Sequence, residues 1–230
     1  MRFDIITIFP KIFDSYFSES IIKRAVKTKK IRIKIWNLRD FAHKKNLPAT
    51  MRSFGRVDDR PYGGGTGMVL QVEPILRAVQ KIKPNAKTKI IILSAKGKQF
   101  NQKIAGDWAA KYRQIILISG RYEGIDERVK IISRAEEISI GPYVLTGGEI
   151  PAMAIVDAVS RHIPGVLGKS ESLEEKRYGI GVSAYTRPEI FSVRGSAFGG
   201  KNKKYKVPEV LLSGNHKKIE NWRIKHKMIK

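Results

Sequence analysis

Apolar and polar positions along this chain switch repeatedly between a period of two and a period near 3.6, predicting alternating strands and helices. Phe3 to Phe9 reads as a strand, and Ile31, Ile33 and Ile35 alternate with Arg32 and Lys34 as a half-buried one. Between them, Ile12 to Lys27 carries Phe13, Phe17, Ile21 and Ile22 at helical spacing, predicting a single basic helix. Residues 50–67 form a polar, glycine-rich loop, and Val72, Ile75, Leu76, Val79 and Ile82 mark an amphipathic helix with Pro74 in its first turn. Lys89–Leu93 and Gln114–Ile118 are short unbroken apolar runs, the pattern of inner strands covered on both faces. A helix over Gln99–Tyr112 separates them. A short helix over Ile125–Ser133, a strand over Glu137–Ile140 and a helix over Ile150–His162 follow. The alternation predicts one α/β domain over residues 1–168.

Beyond that domain the pattern changes. Residues 169–183 are polar and predict an interdomain linker. Residues 184–230 form a small basic carboxyl-terminal domain, with a Gly-, Ser- and Lys-rich loop over Ser192–Lys206 and a basic helix over Ile219–Ile229. That segment is too short to bury much by itself and must pack on other protein or on RNA.

Composition narrows the partner. The 230 residues carry a formal net charge of +24, and such an excess of cations raises affinity for polyanions through counterion release. Nucleic acid is the first partner implied and an anionic membrane surface the second. There is no Cys, which excludes disulfides, thiol nucleophiles and Cys-based zinc sites. The amino terminus does not read as a signal peptide, and no run reaches the ~18 apolar residues of a membrane span. The expectation is a cytoplasmic protein that does not enter a membrane.

Candidate chemistry lies in three glycine-rich loops, over residues 58–67, 119–124 and 140–149. The second and third follow predicted strands at the end where open α/β sheets bind ligands. None matches the Gly-rich spacings that cradle phosphates. A nucleoside without a phosphate chain suits them better, held by backbone and by apolar walls from Tyr143, Val144 and Leu145. The histidines at 43, 162, 216 and 226 show no metal-ligand spacing. Candidate general bases are therefore carboxylates: Asp58, Asp59, Glu123, Asp126, Asp157, Glu174 and Glu175.

Read as ordered motifs, FDIITIFP, VDDRPYGGGTGM, GRYEGIDERV, IGPYVLTGGEIPAM, SRHIPGVLG, YTRPE and VPEVLLSGNH resemble the bacterial tRNA (guanine-N1)-methyltransferase family that acts at guanosine 37, within the SPOUT superfamily. The resemblance implies an α/β SPOUT-type domain with a carboxyl-terminal trefoil knot, plus a small, mainly helical carboxyl-terminal domain. It implies S-adenosylmethionine as methyl donor, a Mg²⁺ requirement, tRNA as substrate, and a homodimer whose active sites are shared between chains. By motif match, the cofactor pocket takes Ser94, Gly120, Tyr122 and Glu123 from the earlier loops. From the third loop it takes Ile140, Gly141, Pro142, Tyr143, Val144, Leu145, Gly147 and Gly148. Arg161 matches the family's catalytic arginine. Asp58, Tyr62, Gly63, Tyr185, Arg187, Ser213, Asn215 and His216 are the expected RNA contacts, with basic segments 12–30 and 217–230 tracking phosphates.

Three departures stand out. Ala95 replaces the family's Pro, and Phe54 stands where a His is common. Lys176 occupies the position of the family's catalytic Asp, so Glu175, with Glu174 behind it, is the expected proton acceptor. Lys176 also keeps two rivals open: an RNA-binding homologue without catalysis, and a SPOUT methyltransferase with another RNA target.

Overall fold

A computed structural model of the chain describes residues 1–42, 56–168, 181–193 and 203–226. It divides into two compact units, Met1–Gly168 and Lys169–Lys230.

The first unit is built on five parallel strands: β1 (Arg2–Thr7), β2 (Arg32–Asn37), β3 (Thr88–Gln99), β4 (Gln114–Ser119) and β5 (Glu136–Ser139). They lie side by side in the order β2-β1-β4-β3-β5. Helices α1 (Ser20–Lys27), α2 (Val72–Ile82), α3 (Gln102–Lys111), α4 (Glu127–Ser133) and α5 (Glu149–Ser160) cover both faces. The period of two decides which face each strand residue serves. Phe3, Ile5, Ile91, Ile115, Leu117 and Ile138 pack with Ile22 and Ala25 of α1, Trp108 of α3, and Ala152, Ile155, Val156 and Val159 of α5. Their neighbours Ile6, Ile92, Ile116 and Ile118 face the opposite way, onto Ile75, Ala78, Val79 and Ile82 of α2 and Val129 of α4.

One acid sits inside this apolar pattern. Asp4 is fully buried in β1 and accepts hydrogen bonds from Trp36 Nε1 at 2.8 Å, Gln114 Nε2 at 2.7 Å and Arg2 Nη2 at 2.7 Å. Both carboxylate oxygens are thereby partnered, as a buried charge requires.

The structure departs from the expected elements at three places. The helix predicted over Ile12–Lys27 is broken. A 3₁₀ turn (Pro10–Phe13) and a single turn (Asp14–Phe17) precede α1, and Ser20 takes a φ of +51° at the junction. The hydroxyl of Ser18 donates to the Asp14 carbonyl, an alternative to continuing the helix. Strand β3 continues beyond the expected Leu93 to Gln99, and its register against β5 shifts between Leu93 and Lys98. Asn101 then caps α3, its side chain accepting from Ile104 N at 3.0 Å. Finally, the Gly/Ser/Lys-rich stretch expected as a loop contributes two antiparallel strands, β6 (Ile190–Val193) and β7 (Lys203–Lys206), to the second unit. Helices α6 (Glu209–Leu212) and α7 (His216–Lys225) complete that unit. None of the described helices is long and apolar enough to cross a membrane.

Candidate active site

A cleft of about 370 Å³ opens where β3, β4 and β5 end. This is the carboxyl edge of the sheet, where ligands bind in open α/β folds. The register shift in β3 places Ser94, Ala95 and Lys96 along one wall. The loop after β4 supplies Gly120 to Asp126, and the loop after β5 supplies Ile140 to Gly148. The volume falls in the range of small-molecule sites.

The first glycine-rich loop supports the wall formed after β4. Glu123 N donates to the Met68 carbonyl, Leu70 N to the Gly124 carbonyl and Asp126 N to the Leu70 carbonyl, each at 3.0 Å. Asp58 and Asp59 pair antiparallel with Val69 and Leu70 just before this seam. Gly67, at φ +91°, lies against Glu123, where a Cβ would stand 2.6 Å from Glu123 Cγ. Tyr62 projects almost wholly into solvent and Gly63 has open space around it.

A buried ion pair fixes the loop after β5. Glu149, at the first turn of α5, is 1% exposed. Its Oε1 accepts from Thr7 Oγ1 at 2.7 Å, and its Oε2 from Arg121 Nε at 2.9 Å. Arg121 also donates to the Thr146 carbonyl at 3.1 Å, and its guanidinium lies over the Phe9 ring at 4.8 Å. Gly148 is then pressed onto β4, with room for no side chain: a Cβ there would stand 2.6 Å from Ser119 Cα. That neighbour is backbone and cannot turn aside. Gly148→Ala is therefore expected to cost about 1–3 kcal/mol of stability, as overpacking does, and to weaken ligand binding in the cleft. Thermal melting and ligand titration would check this. Unchanged values in both would show that the loop does not depend on this contact.

Charge in the cleft differs from charge on the chain as a whole. Its lining residues include four carboxylates, Glu123, Asp126, Glu127 and Glu137, against three cations, Lys96, Arg121 and Lys130. Each cation is engaged. Arg121 binds Glu149, Lys96 bridges Glu127 at 3.2 Å and Glu137 at 3.3 Å, and Lys130 meets Glu137 at 2.6 Å. The hydrogen bond from Lys96 holds the Glu127 carboxyl below its usual range, and the reciprocal bond raises the Lys96 ammonium above its own. Asp126, capping α4, is held low first by the Arg128 side chain. A phosphate would find no free cation here among the described residues. A nucleoside bearing a positive sulfonium matches the balance of charge, with Ile138, Ile140 and Leu145 as apolar walls and glycines open to close approach.

The expected cofactor residues Ser94, Gly120, Tyr122, Glu123, Ile140, Gly141, Tyr143, Val144, Leu145, Gly147 and Gly148 all line this cleft; Pro142 does not. Arg161 lies elsewhere in the same chain. It follows the last residue of α5, a helix of 12 residues whose first turn borders the cleft. At 1.5 Å per residue, this places Arg161 about 20 Å along the axis from Gly148. Along the outer side of that helix Tyr16 donates to Asp157, and burial followed by this bond pushes the Tyr16 phenol up to about 12. Glu174, Glu175, Lys176 and Phe54 lie outside the described residues.

In the second unit, the Tyr185 ring meets Trp222 edge-on at 6.1 Å, and Arg187 is exposed on the same segment. Ser213 and Asn215 build the turn between α6 and α7. Ser213 Oγ donates to the Val210 carbonyl, and the Asn215 side chain accepts from Lys218 N, with His216 starting α7.

Glu149, Arg121, Thr7, Lys96, Lys130 and Glu137 were not expected in the site. A carboxylate opening an otherwise apolar helix was the available signal for Glu149, and the i, i+3 pair Glu127/Lys130 was the signal for the charged rim. Among the described residues no group of three or more His, Asp or Glu side chains stands ready to hold a metal.

Comparison with known proteins places this geometry in context. A family profile described as tRNA (Guanine-1)-methyltransferase TrmD matches residues 1–230. A protein of Dictyoglomus turgidum named tRNA (guanine-N(1)-)-methyltransferase is 49% identical, covering 100% of this chain and 86% of its own length. Proteins with the same name from Dehalococcoides mccartyi and Clostridioides difficile are each 46% identical, over 99% and 97% of this chain and 86% and 90% of their own lengths.

Proposed function

This chain belongs to the tRNA (guanine-1)-methyltransferase family, and on that premise we propose that it methylates N1 of guanosine 37 in tRNA, with S-adenosylmethionine as donor. The observation that carries the proposal is the cleft at the ends of β3, β4 and β5, bounded by Gly120, Gly147 and Gly148 and balanced in charge to accept a nucleoside with a cationic centre. S-adenosylmethionine, when bound, supplies an electrophilic methyl group. Ile140, Tyr143 and Leu145 hold its apolar portion, and Glu123 and the Lys96–Glu127–Glu137 rim face its charged portion.

The chain's own residues handle the proton and the charge. Guanine N1 carries a proton at neutral pH, so an acceptor must remove it as the new bond forms. Glu175 takes that part, with Glu174 behind it; Lys176 at the adjacent position is protonated near neutral pH and cannot. Negative charge then develops on O6, where Arg161 stabilises it. The separation of about 20 Å along α5 supports an active site completed by Arg161 of a second copy. The outer side of that helix and the segment before it leave Ile150, Phe9, Ile12 and Tyr16 between 38% and 54% exposed, which fits coverage by a second chain. Glu149, tied at once to β1 and to the loop after β4, fits a chain that threads as a trefoil knot here. The resemblance adds a Mg²⁺ requirement. A tRNA substrate agrees with a cytoplasmic location and with the net charge of +24.

Incubation with tRNA and methyl-labelled cofactor, followed by mass-spectrometric mapping, tests the proposal. The expected product carries one methyl on N1 of guanosine 37; label on a ribose or at another base would overturn the assignment. Glu175→Gln is expected to lower turnover about a hundredfold while cofactor affinity stays unchanged. Near-normal turnover in that variant would remove Glu175 as the proton acceptor.

A further inference from the structure

The β6–β7 ribbon of the second unit carries an arrangement that none of the roles above uses. Phe191 stands opposite Tyr205 in the antiparallel register, so both rings project from one face. Val193 and Lys203, the next pair on that face, lie beside them, with Lys203 Nζ 5.1 Å from the centre of the Tyr205 ring. Both aromatic side chains face solvent, Phe191 at 58% and Tyr205 at 49% exposure. The opposite face carries Ile190 against Lys206 and Ser192 against Lys204, and all four residues of β7 are exposed. From residue 190 to residue 206 the sequence contains Arg194, Lys201, Lys203, Lys204 and Lys206 and no Asp or Glu.

Two flat apolar rings side by side on water-exposed strands are unfavourable unless something covers them. Their flanking charge selects the cover. A lipid surface or a second copy of this basic chain would satisfy the rings, but five cations without a carboxylate match a polyanion whose bases stack. Proteins read unpaired RNA bases by stacking them on exposed aromatics while cations track the phosphates.

We propose that the β6–β7 ribbon is an RNA-binding platform, with Phe191 and Tyr205 stacking unpaired bases of the tRNA and Lys203, Lys204 and Lys206 contacting the adjoining phosphates. It rests on the tRNA-methylating function above and adds a binding element to it.

The test measures tRNA affinity of the full chain over a range of salt concentrations. The double variant Phe191→Ala/Tyr205→Ala is expected to bind tRNA at least about tenfold more weakly, since each stacked base contributes strongly. Phe191→Leu/Tyr205→Leu keeps apolar bulk without a ring and is expected to lose as much. Phe191→Tyr/Tyr205→Phe keeps both rings and is expected to bind like the wild type. Lys204→Ala is expected to make the slope of log affinity against log salt shallower by about one. Melting temperature and S-adenosylmethionine affinity are expected to hold in all of them.

Wild-type tRNA affinity in the Ala or Leu double variants overturns the proposal while leaving methylation intact. A changed oligomeric state without RNA, at unchanged tRNA affinity, overturns it in favour of a second copy as the cover. A shared loss of melting temperature in the Leu variant reassigns the rings to packing. Failure of the wild type to bind or methylate tRNA overturns the underlying function together with the platform.

Discussion

Glu149→Ala is expected to destabilise the protein by about 3–5 kcal/mol, because it removes one partner of a nearly buried ion pair and leaves the other uncompensated. The Glu149 side chain is 2% exposed and that of Arg121 19%. Thr7 loses its acceptor at the same time, and its hydroxyl is buried. Arg121 keeps its bond to the Thr146 carbonyl and its place over Phe9, so the loss falls toward the lower end of that range. Glu149→Gln keeps the shape and an acceptor oxygen but not the charge, and is expected to cost less. Urea unfolding of the two variants gives the comparison. Cofactor affinity should fall with stability in the Ala variant, because Gly147 and Gly148 are held in place through this pair. A loss below about 1 kcal/mol in Glu149→Ala would show that the pair is effectively solvated and does not fix the loop.

Arg161→Ala is expected to reduce turnover by roughly two to three orders of magnitude, the usual effect of removing a group that stabilises a developing oxyanion. Its effect on stability should stay within about 1 kcal/mol, the size of a cation–dipole interaction at a helix end. Affinity for S-adenosylmethionine should not change, since Arg161 is remote from the cleft of its own chain. A sharper result is available by mixing. Arg161→Ala and Gly148→Ala are each expected to be impaired alone. If Arg161 serves the cleft of a second copy, a mixed dimer pairs an intact cleft with an intact arginine and recovers activity. If it serves its own cleft, mixing recovers nothing.

Much of the first unit was legible in the pattern of apolar residues. The runs at 89–93 and 114–118 are inner strands because a strand covered on both faces cannot alternate. Helix α2 follows its periodicity from Val72 to Ile82. The broken helix after Phe9 was not legible, because Phe13, Phe17, Ile21 and Ile22 keep helical spacing on either side of the break. A side-chain bond at Ser18 and a positive φ at Ser20 decide it, and neither alters the apolar pattern. The β6–β7 ribbon was missed for a related reason: Ser, Gly and Lys weaken the alternation that marks a strand, and pairing supplies what propensity lacks.

The sequence by itself determined the class of fold, a polyanionic partner, the three glycine-rich loops and, through ordered motifs, the family. Period, net charge and motif order are properties of a chain read in one dimension. Only the tertiary structure decided that Glu149, Arg121 and Thr7 form one buried network across residues 7, 121 and 149, and that the cleft of so basic a chain is lined by slightly more acid than base. It alone set Arg161 about 20 Å from Gly148 along α5. Burial, charge pairing and separation depend on which distant segments are brought together, and packing of the two apolar layers against the sheet settles that.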